Sequence, residues 1–150
     1  MESSNYAVTA SRATTLGLIF NPNDAAFSNH KIRQALSMGI DRANVGKNSN
    51  GDLLPAYGLI PPAVHWNGTA YRDSYPETQT AYDADAALAL FQEGMHEIGK
   101  ESLDSTKILV CSALMDCENL HDIIQTWQEG FGFYIGIEEV SESDYWKRLP

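Results

Sequence analysis

The chain has 150 residues, 43% of them hydrophobic, which suffices for one domain with an apolar core and is too little for two full ones. A net charge of −10, with ten Lys and Arg scattered along the chain, argues against a nucleic-acid partner, because phosphate contacts need a clustered basic footprint. No window reaches the roughly 18 continuous apolar residues of a membrane span, so no direct membrane insertion is expected.

The opening "MESSNYAVTASRA" has no basic segment followed by an apolar one, and residues 1–12 read as a flexible or artificial lead-in. Residues 13–150 then form the folded part. Leu16–Phe20, "LGLIF", is rich enough in branched and aromatic residues for a short buried strand. "NPND" stops it with a turn. Ser28 or Asn29 can cap the next helix, whose inner face carries Ile32, Ala35, Leu36, Gly39 and Ile40. Asp41 and Arg42 close that helix.

"ANVGKNSNGD" loses the helical period, and its lysine does not complete a phosphate loop, since the residue five before Gly46 is Asp41. Pro55, Pro61 and Pro62 open a long irregular loop. Its Tyr57, Trp66, Tyr71 and Tyr75 either line a cleft or pin the loop to the body. Asp83 or Asp85 starts a second helix with Ala87, Leu88, Phe91, Met95 and Ile98 inward.

A strand from Thr106, "TKILVCSAL", precedes a third helix capped by Asp116 or Asn119, with Leu120, Ile123, Ile124 and Trp127 inward. Glycines in "GFGFYIGIEEV" end that helix before a strand with Phe133, Ile135 and Ile137 on one face. Ser141 with Asp144 caps a last helix. The alternation of helix and strand predicts an α/β fold with neighbouring parallel strands.

Two cysteines, Cys111 and Cys117, are too few for a disulfide framework. With His121 they make a Cys, Cys, His series that lacks a fourth ligand, and Cys111 sits in an apolar run where cysteine acts as a small hydrophobe. No metal and no other cofactor is expected. "DADA" lacks the glycine and distal glutamate of a calcium loop, and His96-Glu97 lacks the second histidine of a zinc protease helix. No nucleophile elbow or dinucleotide fingerprint is present, so no catalysis is expected.

Several segments, in order and at similar separations, resemble one family: the oligopeptide- and dipeptide-binding receptors of bacterial ABC importers, the family 5 extracellular solute-binding proteins. Phe20-Asn21, Phe27 and "IRQALSMGIDR" from Ile32 to Arg42 carry the most specific part. "GDLLPAYGLIPP", "YDADAALALFQEGMHEIG", the run from Ile108 to Val140 and "DYWKRL" extend it.

The resemblance implies one lobe of a periplasmic-binding-protein type II-like fold, a mixed sheet flanked by helices, with residues 13–150 forming a partial second lobe. Receptors of this kind close two lobes on a solute and present the loaded form to a permease. The partners so implied are a peptide or other small solute, the first lobe of the same receptor and an ABC permease. The location implied is periplasmic or cell-surface, the receptor often being a lipoprotein. The same fold also serves as the sensing domain of cytosolic transcription regulators, and family relatives take nickel chelates, haem or sugars.

The ligand-facing positions that the resemblance carries over are Ile19 beside the Phe-Asn pair, Asn21, Asp116 after the middle strand and Glu142 at the start of the last helix. In peptide receptors an acid, a histidine and a tryptophan tend to stand where Ile19, Asp116 and Glu142 stand here. Each also has a local reading: Asn21 as a turn former, Asp116 as a helix cap and Glu142 as a solvated first-turn acid.

Overall fold

Six helices and four strands follow one another in the computed structural model, which describes residues 14–45, 54–76, 81–103, 105–113 and 118–149. In chain order they are α1 (Ala25–Ser28), α2 (His30–Met38), β1 (His65–Trp66), β2 (Thr69–Ala70) and α3 (Tyr71–Ser74). There follow α4 (Ala84–Glu97), β3 (Lys107–Val110), α5 (Glu118–Phe131), β4 (Gly136–Glu139) and α6 (Glu142–Arg148). They fall into two compact units, one made of residues 1–18 and 56–79, the other of residues 19–55 and 80–150. The expected lead-in, residues 1–12, lies outside the described residues.

In the larger unit, α2 begins where Asn29 accepts hydrogen bonds from the N–H groups of Lys31 and Ile32. Its inner face buries Ile32, Ala35, Leu36 and Met38. The short α1, absent from the sequence-based expectation, forms because Asp24 caps it through the N–H groups of Ala26 and Phe27.

A helix end leaves carbonyls without intrahelical donors, and α2 satisfies its own with local and tertiary contacts together. Gly39 N–H donates to Ala35 O at 2.8 Å and the buried Trp127 Nε1 to Leu36 O at 2.9 Å. Arg42 reaches Ser37 O at 2.9 Å and Ser37 Oγ at 3.0 Å, while Asp83 N–H donates to Met38 O at 3.4 Å. Asp41 accepts from Ala43 N at 3.1 Å, opening the next turn. Of the expected closing pair, Arg42 closes the helix by folding back on its last turn, whereas Asp41 serves the turn that follows.

Helix α4 packs against α2 and starts on the Asp83 cap, which accepts from Ala86 N at 2.9 Å. The two helices come close at Gly94, where an added Cβ would lie 2.7 Å from Ile32 Cγ1. Helix α4 ends in a Schellman arrangement: Gly99, at φ 64°, donates to His96 O and Lys100 to Met95 O. Phe91, Phe131 and Phe133 stack with centroids 4.9–5.9 Å apart and join α4, the end of α5 and the approach to β4.

Strands β3 and β4 are parallel, with α5 as the connection between them, and their register runs from Lys107↔Gly136 to Val110↔Glu139. Leu120, Ile124 and Trp127 of α5 are buried as predicted, and Ile123 is half-buried. Gly132, at φ 76°, ends that helix. The α/β class and the adjacent parallel strands are thus observed.

Besides α1, three elements differ from expectation. Leu16–Phe20 is not a strand and is not buried: Leu16 is 52% and Ile19 83% exposed. Its apolar residues have no ladder partner among the described residues, and a strand exists only through pairing. Phe20 instead rests its ring on Phe27, 5.2 Å between centroids.

The second difference is in the smaller unit, where the expected irregular loop contains an antiparallel hairpin, His65↔Ala70 and Trp66↔Thr69. Asn67 and Gly68 both have positive φ, 52° and 80°, which is the type I′ turn that matches strand twist. The third is α3, whose Tyr71 and Tyr75 stack at 4.8 Å. Arg72 donates to Ile60 O at 2.9 Å through the space beside Gly58, where a side chain would collide with the guanidinium. Tyr57 and Tyr71 are half-buried, whereas Trp66 (70%) and Tyr75 (58%) face solvent.

Candidate functional site

Parallel strands place all their C-terminal ends on one edge, and open α/β sheets take ligands beyond that edge. The register of β3 and β4 sets Val110 opposite Glu139, so the two strands end flush. Beyond them come Cys111–Ser112 on one side and Val140–Ser141–Glu142 on the other. Ser112 Oγ donates to the Glu139 carboxylate, which ties the two exits together.

Ser141 caps α6, its Oγ accepting from Asp144 N at 3.3 Å. The cap presents Glu142 in the exposed first turn. One turn later Trp146, 59% exposed, donates from Nε1 to Glu142 Oε1 at 3.4 Å. Trp146 also meets the edge of Tyr145, with 5.6 Å between ring centroids. At the other end of α6, Arg148 forms paired bonds of 2.7 and 3.3 Å to Glu138 of β4. The Arg148 hydrogen bonds hold the Glu138 carboxyl below its ordinary range and raise the guanidinium in turn. This pairing anchors the helix that carries Glu142 and Trp146 to the strand beneath.

Of the positions singled out from sequence, Glu142 therefore stands at the rim formed by the strand ends. Asp116 belongs to the connection that leaves β3 at the same edge, and lies outside the described residues. Asn21 does not join them: its bonds are local, Oδ1 accepting from Asn23 N at 3.0 Å and the carbonyl from Asp24 N at 3.2 Å. Ile19 projects into solvent without a hydrogen bond to the rim. Trp146 was missed by sequence reading, although its spacing of four residues from Glu142 in a capped helix is the signal that puts both on one face.

Two concavities lie elsewhere in the larger unit. An open groove of about 590 Å³ runs along α5 between His121, Gln125, Gln128 and Tyr134. A smaller one of about 230 Å³ lies between Gly39, Tyr82 and Phe131. Neither is lined by Ile19, Asn21 or Glu142. Cys111 is fully buried and Cys117 lies outside the described residues, among which no group of His, Cys, Asp and Glu is placed to hold a metal ion. No helix among the described residues is long and apolar enough to cross a membrane.

Comparison with known proteins bears on this geometry. The family model described as Bacterial extracellular solute-binding proteins, family 5 Middle, matches residues 2–149. Comparison with curated proteins gives no match. Among solved structures, OppA of Listeria monocytogenes bound to peptide aligns with a TM-score of 0.61 at 20% identity, over 81% of this chain and 25% of that one. The substrate-binding domain of an oligopeptide ABC transporter from Bacillus anthracis str. Ames aligns with a TM-score of 0.61 at 22% identity, over 83% of this chain and 24% of the other. The likeness is one of fold, and the chain spans about a quarter of the length of these structures.

Proposed function

The chain belongs to the bacterial extracellular solute-binding proteins of family 5, and on that premise we propose that it forms the larger part of the second lobe of a receptor for ABC-type uptake, with peptides as the solute. The observation that carries this reading is the extent of the family match, residues 2–149, together with a fold shared with two oligopeptide-associated structures. Family and neighbours point to a binding protein rather than an enzyme.

In this reading the rim beyond β3 and β4 is one wall of a cleft, and the first lobe of the same receptor supplies the other. Glu142 offers a carboxylate to a cationic group of the solute, and the exposed indole of Trp146 offers a flat apolar face beside it. Asp116 adds a second acid from the connection after β3. Closure of the two lobes removes water from these groups, and the closed form is what a permease would recognise. The site of action is extracytoplasmic.

The test is native mass spectrometry of the full-length receptor from its host, followed by calorimetry with the solute so identified. A peptide that copurifies, and whose affinity falls at least severalfold in both Glu142→Gln and Trp146→Ala without loss of thermal stability, is the expected result. Copurification of a nickel chelate, haem or a sugar would redirect the cargo assignment, and affinity indifferent to both substitutions would remove the rim from the site.

A further inference from the structure

An asparagine followed by glycine is the pair of residues in which a side-chain amide is most open to attack by the next backbone nitrogen, because glycine has no side chain to shield it. Asn67-Gly68 forms the tip of the β1–β2 hairpin, and both residues are exposed. A Cβ built on Gly68 would meet nothing within 4 Å. Among the described residues neither the Asn67 amide nor the Gly68 N–H makes a hydrogen bond. Asn67 is also the one non-glycine described residue at positive φ, a region that costs a side chain energy.

We propose that Asn67 is a site of spontaneous backbone modification, gated by opening of the hairpin. Gly68 N, having lost its proton to hydroxide, bonds to Asn67 Cγ, and the Cγ–Nδ2 bond breaks so that the amide leaves as ammonia after taking up a proton. The five-membered succinimide then adds water at one of its two carbonyls, and a ring N–C bond opens to give aspartate or isoaspartate. Ammonia is exchanged for water and no redox partner is needed.

Ring closure needs Gly68 N to eclipse Asn67 Cβ, a backbone rotation that a type I′ turn does not provide. The hairpin must therefore open first. Its strands are only two residues each, and so short a ribbon is marginal in water. The isoaspartate product inserts an extra methylene into the backbone next to Trp66 and adds a negative charge. That lengthening falls within the two-residue turn that sets the His65↔Ala70 register.

The test incubates the whole chain at mildly alkaline pH and follows residue 67 by peptide mass mapping with an isoaspartate assay. A free peptide of residues 62–73 and the variant H65C/A70C, cross-linked across the hairpin, run alongside. The expected result is aspartate and isoaspartate at position 67, faster at higher pH and absent in Asn67→Gln. Conversion should be slower in the chain than in the peptide, severalfold slower again when the cross-link is closed, and restored on reduction. No conversion at Asn67 in the chain, or one rate shared by chain, peptide and cross-linked variant, would overturn the proposal.

Discussion

Trp127 Nε1 donates a 2.9 Å hydrogen bond to the carbonyl oxygen of Leu36, across 91 residues of sequence and with both residues buried. It fixes α5 to the C-terminal end of α2 at a point where the helix itself has no donor to offer. Trp127→Phe keeps most of the ring contact and leaves that carbonyl without a partner. The expected loss is about 1–3 kcal/mol for the orphaned oxygen, rising to about 3–5 kcal/mol for Trp127→Ala. Urea denaturation of the three proteins checks the order.

At Gly94 the usual benefit of alanine in a helix is reversed. An added Cβ would lie 2.7 Å from Ile32 Cγ1 and 3.2 Å from both Ile32 N and Asn29 Oδ1, the capping oxygen of α2. Alanine gains about 1 kcal/mol in helix propensity, but overpacking a fixed backbone costs about 1–3 kcal/mol, so Gly94→Ala is expected to lower stability by up to about 2 kcal/mol. A thermal midpoint at or above that of the parent would contradict the packing described for α2 and α4.

Lys31 of α2 bonds the carboxylates of Glu93 and Glu97 on α4, the Glu97 contact being 2.6 Å, and Asn29 adds a 2.8 Å bond to Glu97. Hydrogen bonding to Lys31 and then Asn29 lowers the Glu97 pKa, while Glu93 and Glu97 raise that of Lys31. A lowered carboxylate stabilises the fold above its unfolded pKa and loses that contribution as pH falls through the folded value. A raised lysine contributes below its unfolded pKa and stops doing so as pH rises through the folded value. Glu97→Gln is therefore expected to be less stable than the parent at neutral pH and equal to it in acid below the carboxylate range. The gap should also shrink in high salt, since the groups are exposed.

The chain by itself is expected to bind short peptides with millimolar or weaker affinity, because under the proposed function the rim beyond β3 and β4 is only one wall of the cleft, and small-solute sites enclose most of their ligand. Isothermal calorimetry with a peptide series measures this directly. Micromolar binding would place the whole site within this chain.

Local signals in the sequence determined the longer helices α2, α4, α5 and α6. Asn29, Asp83 and Ser141 each cap the element they precede, the apolar faces of α2, α4 and α5 follow from spacing, and Gly132 stops α5, because capping and amphipathic periodicity act over one or two turns. The hairpin was equally local, written in Asn67-Gly68, and the proline-rich surroundings hid it. Glu142 is legible through a resemblance, and Trp146 only through its spacing of four residues from Glu142 on α6.

What required tertiary structure was everything that depends on a partner distant in sequence. Leu16–Phe20 has the composition of a strand and forms none, since ladders need a second chain segment and composition does not supply one. Which donors would serve the last carbonyls of α2 was equally unreadable: one comes from Trp127 and another from Asp83. The flush register of β3 and β4, which makes a rim of Ser112, Glu139 and Glu142, depends on pairing two strands separated by the whole of α5, a long-range outcome that no window of sequence contains.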